Sequence, residues 1–341
     1  MTAESKPKLL FIRHLDASFI RRDETMLASK YELVTFRFAV NKGWGIVPAL
    51  FRQLLFLLKH LKNSKGVFVW FADFHAVLPV ILSKALGKKS FIVIGGVDAA
   101  YDPVLAYGTR TRLLGRVSVT ISCRMADQLL PVSEYTQQQL LNNIGAGFLK
   151  KSQVIYNCFD APAQPASAVA RENIVLTVCL SNKVKTLFVK GVDFYLELAQ
   201  AMPDLRFLVV GVHGSAKEWI DKRKPANLIV LEPVMHNQLL ELMHQSKVIC
   251  QFSRHEAFGL ALLEGIAAGC FPVGIRHAGT AEILQHSEGI LIEGYDLQQA
   301  INAIETAMDA SEIQQQKIRN EVLPRFSCSK RMESLLKVIE N

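Results

Sequence analysis

Apolar runs of strand length recur along this chain, most of them followed by a segment of helical length, in two successive series. Residues 8–13, 31–38, 66–71, 90–94, 129–132 and 153–156 read as strands of the first series. Residues 48–61, 75–86, 109–126 and a segment capped by Ser133 and running to Asn143 read as its helices. The pattern then restarts, with strands at 174–180, 206–211, 227–231, 248–252 and 271–275. Helices at 192–202, 236–245, 298–308, 313–322 and 327–339 complete it. Such alternation predicts a parallel sheet covered by helices on both faces, here twice over. Residues 161–170, rich in Pro and Ala, read as the link between the two. The 341 residues suffice for two domains of ordinary size, expected at 1–165 and 166–323.

Within the second series one stretch, residues 253–282, carries an unusual pattern: SRHEAFGLALLEGIAAGCFPVGIRHAGTAE. Glu256 and Glu264 are separated by seven residues that include Phe258, Gly259 and Leu260. A short loop carrying Glu256 is expected to enter an apolar helix of about three turns that carries Glu264. The free backbone N–H groups around Gly259 and Leu260 would form an anion site of the kind that favours phosphate. A carboxylate at that mouth would repel a phosphate unless it binds something else, and sugar hydroxyls fit. Two glutamates around a phosphate-binding helix start therefore suggest a sugar–diphosphate–ribose ligand.

The run E-A-F-G-L-A-L-L-E, followed by G-x-x-x-G-x-x-P-V and by G-T-A-E-I, resembles the E-x(7)-E motif of the retaining family 4 glycosyltransferases. That resemblance implies a GT-B fold, two Rossmann-like parallel-sheet domains facing each other across a cleft. It also implies that the last helix, within 324–341, packs back on the first domain. The implied activity is transfer of a hexose from a nucleotide-diphosphate sugar with retention of configuration, by front-face attack in which the departing phosphate helps to remove the acceptor's proton. Glu256 would hold the donor sugar's hydroxyls and Glu264 the ribose, with Phe258 of the F-G-L run among the donor-binding residues.

Three other places bear on the same ligand. The 181–191 loop, SNKVKTLFVKG, corresponds to a family loop that holds the diphosphate with an arginine and a lysine. Lys190-Gly191 matches the second part; the arginine is missing, and Lys183 or Lys185 is the candidate to supply its charge. Gly211 ends the 206–211 strand at the sheet's ligand edge. In the first series, Gly95-Gly96-Val97-Asp98 follows the fourth strand where relatives read H-G-x-D. The histidine is absent, Asp98 is read as catalytic with a turn-capping role as alternative, and Gly95 and Gly96 are assigned to the acceptor side. Lys190, Glu256 and Asp98 are thus the expected catalytic set. No metal or other cofactor is expected, the nucleotide sugar being a co-substrate.

The net charge of +8 is uneven. Residues 1–165 hold 21 Lys and Arg against 11 Asp and Glu, and residues 166–341 hold 18 against 20. With Arg110, Arg112, Arg116 and Arg124 on one helix, and the apolar 48–61 helix fringed by Arg52, Lys59 and Lys62, this suggests docking on an anionic membrane and a glycan or lipid-linked acceptor of the cell envelope. A soluble sugar or protein acceptor is the alternative. The six cysteines are scattered without a C-x-x-C, as expected of reduced thiols. No secretory signal is read at the N-terminus, and no apolar run reaches the length of a membrane span. The expected location is the cytoplasm, peripherally on the inner face of the cytoplasmic membrane. Dinucleotide-fold and P-loop glycine motifs, a D-x-D metal motif and nucleic-acid motifs are all missing, so nucleic acid is not an expected partner. A sugar-nucleotide epimerase, a phosphorylase and a catalytically inactive sugar-nucleotide binder stay open beside the transferase.

Overall fold

The structure, a computed structural model, describes residues 6–40, 45–161 and 171–341. Nearly all of the expected 161–170 link lies outside the described residues. The chain divides into two compact units, residues 1–157 with 329–341, and residues 158–328.

The first unit runs β1 (Lys8–Arg13), α1 (Ser18–Ala28), β2 (Glu32–Arg37), α2 (Ile46–His60), β3 (Gly66–Trp70), α3 (Phe74–Ala85), β4 (Lys89–Ile94), α4 (Leu113–Met125), β5 (Gln128–Pro131) and α5 (Glu134–Asn143). Its sheet is parallel throughout, in the order β2-β1-β3-β4-β5. β3 is buried at every position, as a central strand covered on both faces must be. Residues 153–156, expected as a strand, do not form one. The Gln153 and Ile155 amides bond the Leu129 and Pro131 carbonyls at 3.0 and 2.9 Å, so the segment lies along β5, with an isolated bridge between Leu129 and Ser152 just before it.

The second unit runs β6 (Glu172–Ser181), α6 (Val184–Val189), α7 (Val192–Ala201), β7 (Arg206–Val212), α8 (Gly214–Asp221), β8 (Leu228–Leu231), α9 (His236–Gln245) and β9 (Ser246–Gln251). It continues through α10 (Leu260–Ala267), β10 (Phe271–Ile275), α11 (Ala278–Leu284), β11 (Ile290–Ile292), α12 (Leu297–Met308) and α13 (Glu312–Val322). The final helix α14 (Cys328–Glu340) carries the chain back into the first unit. The sheet order is β11-β10-β9-β6-β7-β8, again all parallel. α10 has about two turns, not three: Gly269 takes φ +87°, and the Cys270 amide closes back on the Gly265 carbonyl at 2.8 Å, ending the helix.

α14 is fastened inside the first unit by one buried cation. Arg331 Nε and Nη2 each donate to Asp23 at 2.6 Å, and Nη1 donates to the carbonyls of Ile155 and Tyr156 at 2.8 and 2.7 Å. Trp70 Nε1 adds a third donor to Asp23, at 3.1 Å.

Two helices of this unit carry apolar side chains on their outer as well as their inner faces. α4 buries Gly115, Ser118, Val119, Ser122 and Cys123, and exposes Leu113, Leu114, Val117 and Ile121. α2 buries Ala49, Gln53 and Leu57, and exposes Val47, Phe51, Leu55 and Leu58. The residues at 47, 51, 55 and 58 recur at helical spacing and form one stripe. Among the described residues no helix is long and apolar enough to cross a membrane.

Candidate functional site

In the second sheet β6 leads outward to β7, while its neighbour β9 leads the other way to β10. Ligands of open parallel sheets collect at such a switch, outside the strands' carboxyl ends. Two loops meet there. The β6 loop contains α6 and ends in Lys190 and Gly191; the β9 loop runs from Phe252 to Gly259, the N-cap of α10.

Backbone contacts hold these loops in one register. The Arg254 amide donates to the Val189 carbonyl at 2.8 Å. Gly191 lies so close to Phe252 that a Cβ would come within 2.0 Å of the Phe252 carbonyl oxygen, and its φ of +67° favours glycine as well. The Arg254 guanidinium bonds both oxygens of Asp193 at 2.7 and 2.8 Å and the Phe188 carbonyl at 2.6 Å. Arg254 is thereby committed to the frame and does not replace the arginine missing from the β6 loop. From the third side, the Gly279 amide donates to the Glu256 carbonyl at 2.8 Å.

This frame brings Lys190 and Glu256, 66 residues apart, into an ion pair of 2.6 Å. Gln251, the last residue of β9, donates from Nε2 to the same carboxylate oxygen, also at 2.6 Å. Beneath them burial pushes the Cys179 thiol up to about 11, so it remains a neutral floor at physiological pH. Gly259 turns the chain at φ +89°, and the first amides of α10 lack acceptors within the helix. An ammonium, a carboxylate and a helix start converge on one edge. That set can neutralise a diphosphate and accept hydrogen bonds from hydroxyls.

Of the other expected donor-side residues, Leu260 opens α10 and Glu264 lies half-buried one turn further on. Lys183 and Lys185 are exposed at the start of α6, and Gly211 bends β7 at φ +103°. Phe258, expected on the donor side, is buried and packs edge-on against Phe326. The buried carboxylate of Asp98 takes the amides of Gly96, Ala72 and Ala99 at 2.9, 3.0 and 3.2 Å, and burial raises it to about 6 despite those bonds. It shapes the turn, which was the alternative to a catalytic role. Gly95 is packed against Phe71, where a Cβ would come within 2.1 Å of the ring.

An opening in the first unit lies beyond the carboxyl ends of β1 and β3. There a cavity of about 400 Å³ is lined by His14, Arg37, Phe38, Asp73 and His75 among others. The two imidazoles lie with centroids 4.4 Å apart. His75 donates from Nε2 to the Trp70 carbonyl at 2.7 Å, and burial drives its pKa down to about 3, leaving it neutral. Burial lowers His14 in the same direction, and its Nδ1 is enclosed without a hydrogen bond. These residues and Gln251 escaped the sequence reading. The available signals were a histidine directly after β1 and a glutamine ending the otherwise apolar VIC run. Among the described residues no group of three His, Cys, Asp or Glu side chains could hold a metal ion.

Comparison with known proteins bears on the same segment. The family model of glycosyl transferases group 1 matches residues 181–322, which span both loops and α10. A subunit of the phosphatidylinositol N-acetylglucosaminyltransferase of Arabidopsis thaliana is 26% identical over 190 residues, 53% of this chain and 42% of that protein. The match therefore spans less than half of that relative's length. The crystal structure of Anabaena Alr3699/HepE in complex with UDP and glucose aligns over 98% of this chain and 99% of that one, with a TM-score of 0.74 at 16% identity. S. aureus TarM, solved with Fondaparinux, alpha-GlcNAc-glycerol and UDP, aligns over 86% of this chain and 59% of its own, with a TM-score of 0.68 at 16% identity. The fold common to these structures and this chain is GT-B, two Rossmann-like units with parallel sheets.

Proposed function

We propose that this chain is a retaining glycosyltransferase that moves a hexose from a nucleotide-diphosphate sugar to a lipid-linked or envelope-glycan acceptor at an anionic membrane surface. The observation that carries the reading is the Lys190–Glu256 pair at the β6/β9 switch beside the start of α10, inside the segment matched by the group 1 glycosyl transferases. Leaving-group charge is the main electrostatic problem of the reaction, and a fixed cation with oriented amides addresses it at little reorganisation cost. In this reading Lys190 and the α10 amides bind the diphosphate, Glu256 takes the sugar's hydroxyls and Glu264 the ribose. Lys183 and Lys185 add positive charge at the rim, and Gly211 admits the nucleotide close to the backbone. Acceptor binding is assigned to the first unit's cavity at His14, Asp73 and His75, in place of the Gly95–Gly96 turn.

The membrane part of the reading rests on the outer faces of α2 and α4. Exposed Phe51 and Leu55 on α2, and Leu113 and Leu114 on α4, are suited to an apolar neighbour outside. Arg52, Lys59, Arg112, Arg116 and Arg124 fringe these stripes, matching an anionic leaflet. In this reading the chain sits peripherally on the inner face of the cytoplasmic membrane.

A thermal-shift series tests the donor reading. UDP, GDP and ADP, each with and without a sugar, should separate, one nucleoside diphosphate raising Tm more than its monophosphate through the mass-action stabilisation of a bound ligand. No shift with any of them at millimolar concentration would sink the donor site. Transfer to lipid-linked acceptors then distinguishes a transferase from a binding protein.

A further inference from the structure

Glu256 receives two donors on one and the same oxygen. Lys190 Nζ and Gln251 Nε2 both reach its Oε2 at 2.6 Å. An ionised carboxylate cannot donate, so the nitrogen end of the Gln251 amide must face it, and that fixes where the other end lies. Gln251 Oε1 is thereby turned inward, buried and without a hydrogen-bond partner among the described residues. The whole side chain is 7% exposed. A Cβ on Gly259 would come within 2.8 Å of that oxygen, so the glycine at the start of α10 leaves room for the amide as well as setting the turn.

A buried carbonyl oxygen with no partner is unfavourable, and simple support of the loop does not call for one. An apolar side chain of the same length would fill the space without that cost. What the amide adds is direction. With Oε2 gripped from two sides, the carboxylate can no longer rotate, and Oε1 becomes the acceptor it has left to offer. Lys190 alone could not do this, because an ammonium is a point charge that tolerates many approach angles. The ammonium is also the group that a diphosphate would draw away on binding, leaving the amide as the contact that still holds Oε2.

We propose that Gln251 is the positioning residue of the donor-sugar carboxylate: its amide holds Oε2 of Glu256 and reserves Oε1 for a hydroxyl of the transferred sugar. The inference rests on the donor reading under Proposed function and adds to it the residue that makes Glu256 selective for the sugar rather than for the nucleotide. Gln251 itself touches neither sugar nor phosphate in this account.

The test is Gln251→Met, which keeps length and loses both amide functions, with Gln251→Leu as a second apolar replacement should the first not fold. Isothermal titration is run with UDP and UDP-glucose and with GDP and GDP-mannose, on the parent, both variants and Glu256→Ala. The expected result is a Kd for the sugar nucleotide raised about tenfold, the loss expected for a hydrogen bond to a charged acceptor. The Kd for the bare diphosphate should change by less than about twofold, and the ligand-free Tm should hold or rise because an unsatisfied polar atom is gone. Purely structural support predicts the opposite: a lower Tm and equal weakening for both ligands. That outcome, or no change for either ligand, overturns the positioning role. If the parent binds none of the four, or if Glu256→Ala fails to separate sugar nucleotide from diphosphate, the donor reading itself is wrong and the inference falls with it.

Discussion

Each unit holds one carboxylate–cation pair at 2.6 Å, Asp23 with Arg331 in the first and Glu256 with Lys190 in the second, yet the surroundings make them different devices. Asp23 and Arg331 are 0% and 2% exposed, and every guanidinium nitrogen has an acceptor, two of them carbonyls of the chain just ahead of the unit boundary. Nothing in that cluster is left for a ligand. Glu256 and Lys190 are 13% and 30% exposed at a strand edge, and both donors land on one oxygen. A short ion pair is therefore not by itself a mark of function; spare bonding capacity at an open edge is. The arrangement of the remaining charge runs the same way. The first unit's cavity sets two adjoining imidazoles and aromatic rings beside Arg37 and Asp73, with no ion pair between those two among the described residues, whereas the second unit pairs its charges directly at the ligand edge.

The sharpest way to break this contrast is Arg331→Met. It strands a buried carboxylate and frees the carbonyls of Ile155 and Tyr156, and loss of one partner of a buried pair costs about 3–5 kcal/mol. Denaturant unfolding should register most of that as destabilisation. Pairing it with Asp23→Leu should recover part of the loss, since the stranded charge is then gone. A single mutant within about 1 kcal/mol of the parent would mean that α14 is not fastened by this cation.

Lys190→Ala is the matching change in the second unit, with a different readout. Diphosphate affinity should fall by about 1.5–3 kcal/mol, roughly 10- to 150-fold, with little change in stability. Glu264→Ala should likewise weaken nucleotide binding, while Glu256→Ala should leave diphosphate affinity near the parent's and weaken sugar-nucleotide binding and turnover. Titration with the nucleoside diphosphate checks all three. Equal affinity in Glu264→Ala and the parent removes the ribose assignment.

How far these sites were legible depends on whether their signal was local. Glu256, Gly259 and Glu264 lie within nine residues, so spacing alone exposed them, and the two sheets followed from short apolar runs. The partnership of Lys190 with Glu256 spans 66 residues, and only the order β9-β6 makes it a contact. Gln251 was invisible for a related reason: a glutamine in a buried strand declares a polar need without naming its partner. Phe258 was legible as part of the motif but its packing against Phe326 was not, because an aromatic there can serve the ligand or the core. Asp98 is similar: a carboxylate in a glycine turn suits a catalytic or a capping role, and its amide donors were not legible in the sequence. The helices at 48–61 and 109–126 were legible as apolar and basic, but not which residues face outward, because apolar periodicity does not say which face turns inward.

The neutral imidazoles give the next test. His75 is held near pKa 3, against an ordinary value of 6.5, by burial first and by His14 beside it second. The folded state therefore binds fewer protons than the unfolded one below pH 6.5. Stability is fully present above 6.5 and declines as pH falls toward 3, at up to about 1.4 kcal/mol per pH unit. Between pH 6.5 and 5 the parent should lose about 1–2 kcal/mol more than His75→Gln, as measured by denaturant midpoints at fixed ionic strength. Parallel pH profiles for the two proteins would show that His75 titrates normally.

The smallest effect on folding, and the most telling for function, is expected on the outer stripes of α2 and α4. Phe51 and Leu113 are 59% and 75% exposed, so Phe51→Ser and Leu113→Ser should alter stability by no more than about 0.5 kcal/mol. If these side chains instead enter a lipid surface, each contributes on the order of 1.5–3 kcal/mol to attachment when fully withdrawn from water. The basic fringe adds about 1 kcal/mol for each residue near an anionic leaflet, and salt screens it within a Debye length. The two contributions separate cleanly. In co-sedimentation with vesicles containing phosphatidylglycerol, the serine variants should lose binding at every salt concentration, whereas Arg116→Gln and Arg124→Gln should lose it only at low salt, where the parent's electrostatic attraction is strongest. Arg116 is a demanding choice, because it also lies 5.2 Å from the Tyr101 ring centroid and its loss could disturb that contact. Arg124, in the last turn of the same helix, serves as its control. Should the parent ignore anionic vesicles even at low salt, or bind neutral ones equally well, the apolar stripes belong to some other contact and the membrane-proximal acceptor loses its support.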